Sequence, residues 1–166
     1  DQVATLSSKQ IESLSTDQVA ALTTDQVGAL NAKNVAALTS SQIGAMDSDQ
    51  VGALTSAQIA SLSSAAIGAM ATDELATFTT DEIAAISSKA IAGLTTDQVA
   101  SLTTDQVVAL NAKQIAAMTT DQIAALDSDQ VSAMTSTQIA ALSAATLGAM
   151  ASDEIATFTT DEIAAI

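Results

Sequence analysis

The most constraining feature of this sequence is a period of eight residues, which runs through the chain without an insertion or deletion. A first apolar series starts at Val3 and recurs every eighth residue to Ile163, with Val, Ile or Leu at all 21 positions. A second series, three residues later, runs from Leu6 to Ile166 and holds Leu, Met, Ile or Phe. The consensus octad is Thr-Thr-Asp-Gln-Val-Ala-Ala-Leu, numbered one to eight below. The pattern predicts a single repeat array of 21 octads over residues 1–166.

An eight-residue period excludes both one long helix and an ordinary strand. At 3.6 residues per turn, eight residues advance roughly 800°, about 80° past two full turns. The apolar stripe would therefore circle a continuous helix, whereas heptad and eleven-residue repeats stay near one face. Spacings of three and five residues also fail to alternate with the period of two that a strand requires.

Each octad carries a complete signal for starting a helix. Position one is Ser, Thr, Asn or Asp in every full octad except those that begin at Ala71 and Ala151, and these types are preferred N-caps. Position four is Gln or Glu in 17 of 21 octads, as a capping box requires. Position three is most often Asp, which suits the positive end of the helix dipole. We therefore predict short helices of about one and a half turns, one per octad, with a corner at each cap.

Helices this short are unstable alone and need tertiary packing. The sequence thus predicts an all-α solenoid, in which Val, Ile and Leu pack against neighbouring octads. The small residues at positions six and seven should let helices approach closely. Five glycines there are interpreted as close-packing residues, with helix ending as the alternative: Gly28, Gly44, Gly52, Gly68 and Gly148.

The number of octads per coil follows less directly. Residues 19–86 are duplicated at 99–166, and this 80-residue super-repeat is a whole number of 16-residue units but not of 24. The separations of Lys9 from Lys33 and of Lys89 from Lys113 are 24 residues and favour three octads per coil. We predict two octads per coil, with three as the alternative.

Composition removes most chemistry. The chain has four Lys, no Arg and 19 acidic residues, for a net charge of −15, and it lacks His, Cys, Trp, Tyr and Pro. There is consequently no thiol or imidazole for catalysis or zinc, and the acidic surface repels nucleic acid. No apolar run is long enough to cross a bilayer. The opening Asp1-Gln2-Val3 is unlike a signal peptide, and we expect an excerpt or a processed product.

Candidate site residues all have simpler structural interpretations. Asp47-Ser48-Asp49, repeated at 127–129, could hold Ca²⁺, but an N-cap followed by a first-turn Asp explains it better. Ser8-Lys9 and Ser88-Lys89 could form dyads, yet both lysines take the exposed position three. The Met and Phe residues replace consensus Leu as core fillers. The Gln series could bond between coils or cap its own helices. The Asp series should form a solvated face: Asp17, Asp25, Asp97, Asp105 and Asp121. We predict no catalytic residue, cofactor or metal ligand, and hence no enzyme.

The octads, rich in Thr-Asp/Ala-Gln-Val/Ile-Ala-Ala-Leu, resemble the repeat tracts of very large secreted or surface-exposed bacterial proteins, some labelled as adhesins or haem-utilisation proteins. This resemblance implies a role at the cell surface or in the matrix. Haem binding has no support, since its usual ligands His, Tyr and Cys are missing.

We therefore expect a structural extracellular protein, acting as a stalk, spacer or filament unit. Both ends of the chain are ordinary octad sequence without polar caps, so we also expect end-to-end self-association of copies. The alternative function is a repetitive Thr-rich surface that binds ice or another surface, although the Asp beside each Thr pair argues against it. Nucleic acid and membrane insertion are not expected.

Overall fold

The computed structural model describes residues 2–166, so Asp1 and its part in the opening sequence lie outside the described residues. Within that range the chain forms one short 3₁₀ helix, Val3–Thr5, and 20 α-helices without a strand. The α-helices span four to six residues each: α1 Ser8–Glu12, α2 Thr16–Ala20, α3 Thr24–Gly28, α4 Ala32–Val35, α5 Ser40–Ile43, α6 Ser48–Gly52, α7 Ser56–Ile59, α8 Ser64–Ala69, α9 Thr72–Ala76, α10 Thr80–Ala85, α11 Ser88–Ile91, α12 Thr96–Ala100, α13 Thr104–Ala109, α14 Ala112–Ala117, α15 Thr120–Ile123, α16 Ser128–Ala133, α17 Ser136–Ile139, α18 Ala144–Leu147, α19 Ser152–Ile155 and α20 Thr160–Ala165. One helix per octad is confirmed.

Capping causes each helix to begin where it does. The hydroxyl of Thr103 accepts a hydrogen bond from the Gln106 backbone N–H at 3.2 Å, and the Gln106 Oε1 accepts one from the Thr103 backbone N–H at 3.0 Å. This reciprocal capping box recurs at most corners. At Ala71 only half of it exists, because alanine has no acceptor and Glu74 alone binds the cap N–H.

The core consists of the two apolar series. Val99 is fully buried and Leu102 is 5% exposed, while Asp97 lies on the surface, as predicted. All five Met residues are buried except for small exposed fractions, so the interpretation of Met as a core filler is confirmed. Phe78 is buried in the same series, and Phe158 packs against the core from the last octad.

Helix contacts show that one coil contains three octads, not two. Each helix stacks on the third helix before and after it, as in α5–α8–α11–α14. The prediction of two octads per coil is therefore wrong. The 24-residue spacing of the lysines was the correct sign, since Lys9 and Lys33 lie on α1 and α4, which are stacked neighbours. The array is a three-sided prism of seven coils.

The prism has three faces, each a stack of helices from every third octad. We name them by their first helix: the α1 face (α1, α4, α7, α10, α13, α16, α19), the α2 face (α2, α5, α8, α11, α14, α17, α20) and the α3 face (α3, α6, α9, α12, α15, α18).

The glycines divide between two roles. A Cβ at Gly68 would overlap the Gly93 carbonyl oxygen, and one at Gly44 would lie 3.1 Å from the Ala69 carbonyl oxygen. Close packing is therefore confirmed at these two positions. Gly28 and Gly52 have room for a side chain, and Gly148 would meet only its own helix. Among residues 2–166 no glycine has a positive φ, so none ends a helix through the left-handed conformation.

Candidate functional surface

The position-four glutamines are the most regular polar residues of the fold, and they bond in two directions. The Gln114 Oε1 accepts a hydrogen bond from its own N-cap, Asn111, at 2.7 Å. Its Nε2 donates to the carbonyl oxygens of Ile83 at 3.0 Å and of Ile86 at 2.7 Å, 31 and 28 residues earlier. Both alternatives that the sequence left open are therefore correct, because one amide caps its helix and joins two coils.

We call this set of inter-coil bonds the amide ladder. Each amide reaches the carbonyls at positions five and eight of the octad four steps earlier. These carbonyls belong to the C-terminal end of a short helix, where no intrahelical donor remains. The glutamines of the ladder are almost fully buried, with Gln114 completely so. Its members are Gln42, Gln50, Gln58, Gln98, Gln106, Gln114, Gln122, Gln130 and Gln138, with Asn34 bonded to Leu6 as a shorter equivalent.

Sequence reasoning on capping alone could not locate the partners of this ladder. A usable signal was nevertheless present, since a capping box accepts Gln or Glu equally well, yet the chain uses 13 Gln and four Glu at position four. Only Gln has a donor to spare for a second bond.

Four consecutive octads lack the glutamine. We call residues 63–94 the Gln-free belt, in which position four is Ala66, Glu74, Glu82 and Ala90. The carbonyls that a glutamine would reach end in Leu38, Met46, Leu54 and Leu62, and among residues 2–166 these four oxygens accept no hydrogen bond. Leu54 is only 1% exposed.

The belt has a close helix contact instead of amide bonds. Helices α8 and α11 approach so closely that a Cβ on Gly93 would overlap the backbone of Ser64. Beside this contact is a surface cavity of about 360 Å³, bordered by Leu62, Ser63, Ser87, Lys89 and Ala90. The cavity lies where a glutamine at position 90 would extend.

Glu74 is the titratable group most affected by the fold. It is 6% exposed, and its Oε2 accepts a hydrogen bond from the Ala71 backbone N–H at 2.7 Å. Burial raises the pKa of Glu74 above its ordinary value; the bond from Ala71 lowers it, and the charges of Asp73 and Asp47 raise it further.

Position three segregates the charges among the faces. The α3 face carries an unbroken row of exposed carboxylates, Asp25, Asp49, Asp73, Asp97 and Asp121. The four lysines form two stacked pairs, Lys9 with Lys33 on the α1 face and Lys89 with Lys113 on the α2 face. The predicted Asp series is exposed as expected, but it lies on all three faces instead of one.

The catalytic and metal candidates do not assemble. The Asp47 and Asp127 carboxylates accept bonds from the backbone N–H groups of Gln50 and Gln130, as N-caps do. In the described part of the chain no three acidic side chains are grouped as metal ligands. The Ser8 hydroxyl is buried and has no partner among residues 2–166, so Lys9 does not activate it. Between residues 2 and 166 we also find no helix long and apolar enough to cross a membrane.

The fold defines the chain as an all-α repeat protein, a solenoid built of octads. The ALTTAQ repeat matches residues 1–32, 27–56, 76–112 and 104–136, which together make up most of the chain. The chain therefore belongs to the ALTTAQ repeat family. No curated protein matches it.

Proposed function

We propose that this chain is a non-catalytic structural array, a spacer or stalk that holds other elements at a distance and extends by adding coils. The observation that carries the proposal is the amide ladder, because the most regular polar groups of the repeat are used up inside the fold. The Thr and Ser side chains at the corners are likewise engaged in capping. Neither group is left to form a site.

The location that we propose is extracellular, at a bacterial surface or in a matrix. Support comes from the resemblance to repeat tracts of large surface proteins. An acidic, cysteine-free exterior is compatible with such an environment, since its charge favours solubility. An adhesive role belongs to the same proposal, as a property of elements that the array would carry.

Particle shape is the first test of the spacer function. With stacked helices about 8–10 Å apart, seven coils give a prism about 60 Å long. Small-angle scattering should then return a radius of gyration of about 19 Å, against about 15 Å for a compact globule of this length. A value near the smaller figure would contradict an elongated array.

End-to-end association of copies is the second part of the proposal. A coil with nothing beneath it has unused ladder donors, and in the first coil the Nε2 atoms of Gln10, Gln18 and Gln26 find no acceptor among residues 2–166. The last coil has the matching surface, with unfilled acceptors in the octads 143–166 and with Ile163 and Ile166 exposed by 53% and 59%. Donors and acceptors recur at the same octad spacing, so one copy would continue the other in register.

Sedimentation of this chain over a range of concentrations tests the association. We expect open-ended, concentration-dependent growth, which Ile163→Asp with Ile166→Asp should abolish. The matched control is Asp97→Asn on the side of the prism, which should assemble normally. A wild-type chain that stays monomeric at high concentration would contradict end-to-end association while leaving the spacer proposal to the scattering test.

The Thr-rich surface for ice or another ligand stays an alternative prediction. Every position-one hydroxyl that caps a helix has its acceptor in use, and Asp25 stands beside the Thr23–Thr24 pair on the surface. Freezing-point measurement with thermal hysteresis present would favour this alternative over a plain spacer.

A further inference from the structure

We propose that the lower boundary of the Gln-free belt is a proton-dependent seam, held more tightly when the Glu74 carboxyl carries a proton. The inference rests on the register of the ladder. In every complete ladder octad, the side-chain oxygen binds its own N-cap and the nitrogen donates to the carbonyls 28 and 31 residues earlier. Glu74 occupies the same position, and its Oε2 binds the Ala71 N–H as the glutamine oxygen does.

The second carboxyl oxygen of Glu74 therefore takes the place of the amide nitrogen. The corresponding acceptors, 31 and 28 residues earlier, are the carbonyl oxygens of Ile43 and Met46. An ionised carboxylate has only acceptors and cannot bond to a carbonyl, whereas a protonated carboxyl has one O–H to donate. Since Met46 is 4% exposed and its carbonyl accepts no bond within residues 2–166, water does little to replace the missing donor.

The surroundings of Glu74 favour the proton from every side. Helix α9 packs between α6 and α12. The titratable groups on these elements are Asp47 and Asp49 at α6, Asp97 on α12 and Asp73 on α9 itself. All four are carboxylates, and α5, which provides the Ile43 carbonyl, has no titratable side chain. No positive charge on these helices opposes protonation.

The direction of the pH effect follows from linkage. The pKa of Glu74 is raised in the folded chain, so as the pH falls the folded state binds the proton before the unfolded state does. The folded state thereby gains stability as the pH falls from neutral through the raised pKa, and it gains no more below the ordinary pKa of 4.5. As pH rises this contribution is lost.

Thermal unfolding of wild type and Glu74→Gln between pH 4 and pH 8 tests the seam. At pH 7–8 the glutamine supplies the missing donor, so the variant should melt about 2–4 °C higher, the shift expected for one hydrogen bond in a chain of this size. Near pH 4 the protonated Glu74 donates as well, and the two curves should converge. A difference that stays constant with pH would overturn the proposal.

Gln114→Glu is the matched reciprocal variant, since it places a carboxyl in a completely buried ladder position. It should melt below wild type at neutral pH and recover on acidification. Asp121→Asn, an exposed carboxylate on the same face, controls for the general relief of a −15 charge and should follow the wild-type pH dependence. Should Gln114→Glu fail to fold, hydrogen exchange at pH 7 decides the matter: Glu74→Gln must increase protection in residues 39–46 and 71–78, and unchanged protection there would refute the seam.

Discussion

The ladder coils, residues 95–142, and the Gln-free belt, residues 63–94, have the same helices and the same apolar core but hold to the coil beneath them differently. In the ladder coils, six consecutive glutamines from Gln98 to Gln138 bond to the preceding coil. In the belt, no side-chain amide does so, and the backbones of α8 and α11 approach through Gly68 and Gly93 instead. The difference shows that the apolar series fixes the architecture, while position four sets how strongly successive coils are tied.

The largest expected effect is one that the two regions share. Leu102→Ala in the ladder coils and Leu62→Ala in the belt should each lower the free energy of unfolding by about 2–5 kcal/mol, because both side chains are buried in the same core. Urea denaturation of the two variants measures this. A much smaller loss at Leu62 would mean that the cores differ as well as the ladders.

A methyl group at Gly93 should separate the regions. Gly93→Ala should lower the free energy of unfolding by about 3 kcal/mol, since its Cβ would overlap the backbone of Ser64, which cannot move aside as a flexible side chain would. The matched control is Gly28→Ala, where the nearest atom is the Ala53 carbonyl oxygen at 3.6 Å. That substitution should be neutral or stabilising, because Gly28 lies in a helix. Chemical denaturation midpoints of both variants provide the comparison.

Loss of one ladder amide should cost less than the clash. Gln114→Ala leaves the buried carbonyls of Ile83 and Ile86 without their donor, and we expect the free energy of unfolding to fall by about 2 kcal/mol. Gln10→Ala is the control, as the Gln10 amide caps its own helix and joins no lower coil. Equal losses at both positions would mean that capping, and not the ladder, accounts for the glutamines.

The smallest effect should be loss of a cap, and it should not depend on region. Thr103→Ala in the ladder coils and Thr79→Ala in the belt should each reduce stability by about 1 kcal/mol, since both hydroxyls accept from the N–H of position four at similar distances. The value should lie in the lower part of the usual range because the fold already accepts Ala71. Unchanged midpoints in both variants would refute capping as the cause of the corners.

Local structure could be predicted from the sequence because its causes are local. The cap, the capping box and the spacing of Val99 and Leu102 all lie within one octad. The number of octads per coil could not be derived in this way, because it depends on the angle at which the chain leaves each corner. The super-repeat misled the prediction, since its 80 residues fit pairs of octads and not triplets. The carbonyl partners of Gln114 were likewise beyond local reasoning, being 28 and 31 residues away.

The three-octad coil gives the super-repeat a consequence of its own. Ten octads exceed three whole coils by one octad, so each duplicated residue reappears one face further round the axis. Phe78 belongs to the stack of the α3 face and Phe158 to that of the α1 face, and the lysine pair of the α1 face recurs on the α2 face. Successive super-repeats thus carry the same patch around the prism like steps on a spiral stair. A partner approaching from any direction would meet each patch once in every three super-repeats.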